Sequence, residues 1–177
     1  MKTSLIYGSV ITLVGAFCTI IYYLIGWHSD PTKVAMAGWV DFPIRIATLA
    51  TGLILGARAI RAETPVTEPF SYGSALWASI RISFFSVVTG LIFFYLYVAF
   101  INTSFTDVMV QSADLKMQAA GMSQDIIDKR EVGMRKFYSP VGQIIFFSIF
   151  GMIFNTIISL ITSIFCTRPN PDEATAL

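Results

Sequence analysis

Two residues of this sequence could do chemistry where it is least expected. Asp41 and Arg45 lie four apart in GWVDFPIRIATLATGLILGARAIR, an otherwise apolar stretch from Gly38 to Arg61. On a helix that spacing sets them side by side as an ion pair. Ionisable groups inside a membrane span are costly and mark functional sites by default. The chemistry on offer is electrostatic: a polar pocket near one leaflet for a lipid head group or an ion. A plainer reading stands beside it. Pro43 fits if the regular helix begins at Phe42, because proline is tolerated in a first turn. Asp41 is then an N-cap candidate and the pair neutralises itself. With Trp39 at the interface, Arg45 lies about 9 Å down, within reach of snorkelling.

The other polar residues in apolar surroundings are Arg81, Gln143 and Asn155. Arg81 follows Trp77 and is expected to snorkel to the phosphates. Gln143 and Asn155 read as interhelical hydrogen-bond donors rather than ligands. With Asp41 and Arg45, Arg81 and Asn155 complete the candidate polar site. His28 has only Asp30 near it in sequence, too few partners for a metal. Cys18 and Cys166 have no ligand spacing and read as small apolar packers. No HExxH, GxSxG, P-loop or GxGxxG is present. The expected protein is not an enzyme, and no cofactor or metal is implied.

The elements that must position these residues are membrane spans. The chain has 177 residues, is 55% hydrophobic and only 13% charged, against roughly 25% charged in soluble domains. Mean hydropathy is +0.68. A net charge of +1 offers no basic face for nucleic acid. A spanning helix needs about 20 mostly apolar residues. Leu5–Ile25, Ile82–Thr106 and Phe137–Thr167 carry such runs, and Gly38–Ile60 is the fourth and least clean. Lys2 imitates a signal-peptide n-region. The first run nonetheless exceeds the usual h-region of about 7–15 residues, so it is expected to be retained.

The expected fold is all-α: a four-helix transmembrane bundle over residues 1–167, with spans near 4–25, 38–60, 75–101 and 141–165. Residues 168–177 are expected to form a disordered tail. Small residues recur every fourth position in each span, which places them on one face. Examples are Gly8 in the first, Gly52 and Gly56 in the second, Gly90 in the third and Gly151 in the fourth. Such faces let helices approach closely in lipid. They serve packing within one chain, or contact with a protein partner or a second copy.

The loop over residues 106–140 is expected to be helical. TDVMVQSADLKMQAAG can form a helix stopped by Gly121, and Ser123 can cap a second one with Asp125 in its first turn. In QDIIDKREVGMRKFY, Ile127, Met134 and Tyr138 share a face. That helix lies either at the lipid headgroups or in a solvated hairpin.

Basic residues do not decide orientation. Lys2, Arg58, Arg61, Arg81 and Arg168 stand on one side, against Lys33, Lys116, Lys129, Arg130, Arg135 and Lys136 on the other.

The order of features resembles an uncharacterised family of small four-span bacterial inner-membrane proteins, a domain of unknown function. The matching stretches are KTSLIYGSVITLVG, GLILGARAIR, SYGSALWASIRISFFSVVTGLI, MQAAGMSQDIID and PVGQIIFFSIFGMIFNTIISLITSIF. The resemblance implies the bacterial cytoplasmic membrane, with both termini cytoplasmic and the long loop outside. It implies no activity and no site residues. The expected role is a non-enzymatic structural or accessory membrane component. The alternative is a small transporter or a lipid- or ion-binding protein that uses the Asp41/Arg45 region.

Overall fold

The computed structural model describes residues 1–168. Six α-helices follow in order: α1 Lys2–Leu24, α2 Val34–Glu63, α3 Tyr72–Leu96, α4 Phe105–Ala119, α5 Gln124–Tyr138 and α6 Pro140–Thr162. A π-turn, Tyr97–Ile101, extends α3, and a 3-10 turn, Ser163–Cys166, extends α6. Four of these helices are long and apolar enough to cross a membrane, as the runs in the sequence imply: α1, α2, α3 with its π-turn, and α6 with its 3-10 turn.

Local chemistry explains most of the boundaries. After α1, Gly26 takes φ +80°; the Gly26 and Trp27 amides donate back to the Tyr23 and Tyr22 carbonyls. Gly121 does the same after α4, with φ +75°. A left-handed glycine in this position satisfies carbonyls that a helix end orphans. Ser71 and Ser139 open α3 and α6, their hydroxyls accepting from the Ser74 and Gly142 amides at 3.2 and 3.1 Å. Pro140 follows Ser139 at the first helical position, where its missing N–H costs nothing. Ser123 sits at the N-cap of α5 as expected, with extended backbone, but its hydroxyl makes no capping bond.

One expectation fails. Asp41 does not start a helix; α2 begins at Val34 and runs through Pro43. The turn at Asp30 explains it. Asp30 accepts at its backbone from Lys33 and Val34, and at its carboxylate from Thr32, which starts the helix far upstream of the proline. Pro43 then removes one bond from a helix of 30 residues. That helix is about 45 Å long, well over the roughly 30 Å hydrocarbon layer.

Around the bundle the helices follow the order α2, α1, α3, α6, and α2 closes the ring against α6. The chain alternates direction, so α1 lies parallel to α3 and α2 parallel to α6. The small faces make the first contact close. A β-carbon on Gly8 would meet Phe85 Cβ at 2.7 Å and the Ile82 oxygen at 2.8 Å. Thr12 Oγ1 lies 2.7 Å from Thr89 Oγ1 and donates to the Ser86 carbonyl at 2.9 Å. Gly52 faces Ile11, Gly56 faces Tyr7 and Ile82, Gly90 faces Thr12 and Gly151 faces Val87. All five glycines face helices of their own chain. Between α3 and α6, Ser83 and Ser159 are fully buried with hydroxyls 3.2 Å apart. A buried hydroxyl pair of this kind glues helices where hydrocarbon offers no competing partner.

At the end nearest the termini, arginines close the bundle. Arg58 donates to the Phe165 carbonyl, and Arg61 to those of Cys166 and Thr167. These are the carbonyls a helix end leaves free. Arg168 donates to Thr64, Pro65 and Glu68 carbonyls and pairs backbone to backbone with Phe70. Arg168 therefore belongs to the packed structure, although the tail was expected to start there. The rest of that tail, 169–177, lies outside the described residues.

At the opposite end α4 and α5 form an antiparallel hairpin, and α2 touches α4. Ile127 is buried within it, as are Val108 and Val110. Arg135 bridges Asp107 at 2.7 Å and Glu131 at 2.8 Å.

Candidate functional site

The ring does not close evenly. A cleft of about 810 Å³ opens among α1, α2, α3 and α6, and its walls include Asp41, Arg45 and Asn155. That volume lies within the roughly 300–1,000 Å³ typical of ligand sites. Its outer side is lipid-facing apolar surface: Phe42, Ile44, Phe150, Ile153 and Ile157 line it and remain exposed. Along α2 the lining runs from Gly38 to Leu49, about 17 Å at helical rise. That is close to one leaflet's share of the hydrocarbon. Asp41, Arg45 and His28 line the cleft towards the α4–α5 hairpin; at depth its lining is mostly apolar and includes Ile11, Leu49 and Ile157, with Asn155 beside them.

At the polar end Arg45 organises the wall. Its Nε pairs with Asp41 Oδ2, as the four-residue spacing implies. Its Nη2 donates to Thr19 Oγ1 at 2.9 Å, and Thr19 Oγ1 donates to the Gly15 carbonyl at 3.0 Å. Its Nη1 lies over Gly15, 2.8 Å from where a β-carbon would stand. Nη1 has no acceptor among the described residues, and half of the side chain is exposed. Asp41 is mostly covered, and its Oδ1 is buried without a hydrogen-bond partner among the described residues. A buried acceptor left unfilled costs free energy, so the pair is internally matched in charge yet incomplete in hydrogen bonding.

The outer rim carries residues that spacing could not reveal. His28 lines the cleft. Its Nδ1 lies 2.9 Å from Tyr97 Oη, while Asn102 Nδ2 donates to that oxygen at 3.0 Å and to the His28 carbonyl at 3.1 Å. Ser104 in turn donates to Asn102 Oδ1 at 3.1 Å. Tyr97 is 1% exposed, so its own proton needs a protein acceptor. His28 Nδ1 is the acceptor in reach. That assigns the proton of neutral His28 to Nε2. Burial pushes the imidazole below its ordinary range; the Asp41 charge pulls it back up and the Arg45 charge adds to the lowering.

The four candidate polar residues divide. Asp41, Arg45 and Asn155 share the cleft, and Arg81 is not on its wall. Arg81 is half-buried on α3, with Nε covered and unpartnered among the described residues. Asn155 was expected to bond a neighbouring helix. Its backbone carbonyl accepts from Ser159, but its side-chain amide makes no hydrogen bond among the described residues, and the residue lines the cleft. Gln143 does bond across segments, donating to the Phe137 carbonyl at 3.0 Å. Cys18 sits in the cleft wall, whereas Cys166 is fully buried beside Ala57, Phe70, Ala75 and Ala78. Among the described residues no group of His, Cys, Asp or Glu is placed to hold a metal.

Four apolar helices, small-residue seams between them and a lateral cleft define a polytopic membrane protein of the helical-bundle class. Residues 6–168 match a family described as a protein of unknown function, DUF4199, and the chain belongs to that family. Neither a curated protein nor a solved structure matches it.

Proposed function

We propose that the protein is a non-enzymatic, membrane-embedded binding protein for a single amphipathic lipid, held in the cleft between α2 and α6. The observation that carries this reading is the polarity of the cleft. Asp41, Arg45 and His28 line one end, and a mostly apolar channel about one leaflet deep, with Asn155 far along it, continues from them. A head group and a chain are the two parts of a ligand that such a site matches. The one carboxylate on the wall among the described residues, Asp41, is already paired with Arg45, so no pair of free acids is available for acid–base work. We place the protein in the bacterial cytoplasmic membrane with its termini cytoplasmic; support comes from the likeness to small bacterial four-span proteins.

A second reading, an accessory component that docks a protein partner, draws on the α4–α5 hairpin. There Val132 is 78% exposed, with Ile126 and Phe137 also outside.

The test of the first reading is lipid mass spectrometry on protein purified in mild detergent. One lipid per chain is expected, and Ile157→Trp, which fills the deep end, should expel it. A protein that carries no lipid, or an Ile157→Trp variant that carries as much, would overturn the reading. Ile157 is half exposed, so the bundle should tolerate the change.

A further inference from the structure

If the cleft holds a lipid, the groups left unfilled at its polar end describe the head group. We propose that the head group is a zwitterion with a phosphate and a primary ammonium, as in an ethanolamine phospholipid. Arg45 Nη1 and His28 Nε2–H take the phosphate, and the Asp41 carboxylate, by turning Oδ1 to the cleft, takes the ammonium. This inference rests on the lipid-binding reading above.

Three observations converge on it. First, both charged residues on the wall keep one group open. Arg45 commits Nε to Asp41 and Nη2 to Thr19, leaving Nη1 without an acceptor among the described residues. Asp41 commits Oδ2 to Arg45, and its buried Oδ1 finds no donor among the described residues. A ligand that completes both must bring an acceptor and a donor together. Second, the pair is neutral as a unit. A head group with net charge would leave an uncompensated charge in a poorly solvated site, which is expensive; a zwitterion lying antiparallel to the pair leaves none. Third, neutral His28 adds a donor without adding charge. Its Nδ1 is occupied by Tyr97, so Nε2–H is the ring donor that remains.

The recognition is specific in its chemistry. Ethanolamine carries N–H donors for Asp41 Oδ1. Choline has the same charge and no N–H. Glycerol has hydroxyls and no cation, so its phospholipid is anionic. A site with a buried group that needs a hydrogen bond discriminates strongly against an analogue that lacks it.

The experiment is competition in nanodiscs that hold ethanolamine, choline and glycerol phospholipids with identical acyl chains. The lipid retained on release into mild detergent is counted by mass spectrometry. Ethanolamine lipid should be enriched over each of the others by about tenfold. Asp41→Asn should bring the ethanolamine-to-choline ratio towards one while lipid is still retained. Arg45→Gln should lower retention of ethanolamine and choline lipids alike. Equal retention of all three head groups by the wild-type protein would overturn the zwitterion and leave the lipid-binding reading intact. Loss of every lipid, with Ile157→Trp no different from wild type, would overturn both. The wild-type ratio needs no variant, so a misfolded Asp41→Asn protein does not protect the proposal.

Discussion

Gly15 of α1 leaves the space that the guanidinium of Arg45 occupies from α2. A β-carbon at position 15 would stand 2.8 Å from Arg45 Nη1. The obstructing atom is the far end of a flexible side chain, so the helices need not part. Gly15→Ala should therefore hold or slightly raise the melting temperature in detergent, since alanine is favoured over glycine in a helix by about 1 kcal/mol. Lipid retention should fall, because Nη1 is pushed from the cleft. A variant that melts lower and binds lipid normally would assign Gly15 to packing alone.

The Asp41–Arg45 pair should be coupled. Asp41→Asn and Arg45→Ala are each expected to lower stability in detergent by about 1 kcal/mol, the upper range for a half-exposed pair. The double variant should lose less than the sum of the two. Silent single variants would make the pair an incidental surface contact.

Gly8 should tolerate nothing larger. A β-carbon there meets the Ile82 oxygen and the Ser86 nitrogen, both at 2.8 Å, and backbone atoms cannot swing aside. Gly8→Ala should cost roughly 1–3 kcal/mol as α1 and α3 are forced apart. Gly38→Ala, with nothing within 4 Å of the added carbon, is the control and should be neutral or mildly stabilising. Thermal melts of the two variants side by side check the contrast.

The α4–α5 hairpin should loosen as pH rises. Asp114 Oδ1 is buried without a hydrogen-bond partner among the described residues. Burial raises its pKa, the Glu131 charge raises it further, Arg135 lowers it and Asp128 raises it again. A carboxyl whose folded pKa is raised binds its proton more tightly in the folded state. Its stabilising contribution is complete below the ordinary value, near 3.8, and is lost as pH climbs through the higher folded value. Amide exchange in α4 and α5, corrected for the intrinsic rate, should show weaker protection at neutral pH than below the ordinary value of 3.8. Asp114→Asn should remove that dependence.

Reporter fusions after Leu177 and at Gly121 should lie on opposite faces of the membrane, the first cytoplasmic. Fusions on the same face would remove the four-span arrangement; the reverse assignment would invert it.

Apolar run length was enough to find the four spans, and local chemistry marked the breaks at Gly121 and at Ser139-Pro140. The Asp41–Arg45 pairing followed from helical spacing alone. What stayed hidden depended on contacts distant in sequence. The proline of α2 suggested a helix start because the nucleating turn at Asp30 lies well upstream of it. Asn155 looked like a helix-bonding residue as a polar side chain within an apolar span; that it lines a cleft follows from how α6 packs against the other helices. His28 had only Asp30 near it in sequence, too little to suggest a role, since its partner Tyr97 lies 69 residues away. Arg168 read as tail because its partners are carbonyls of residues 64–68 and Phe70, and backbone acceptors leave no trace in residue types.

The clamp that Arg168 makes has a consequence for biosynthesis. Residues enter the membrane in order, so α1, α2 and α3 are inserted before α6 and Arg168 have been made. Until then the Phe70 backbone lacks its bridging partner, and Arg61 lacks the carbonyls it later holds. The α6 wall of the cleft is missing over the same interval. Assembly of the cleft and locking of the loop over residues 64–70 are therefore one late event, and a nascent chain halted after α3 carries neither.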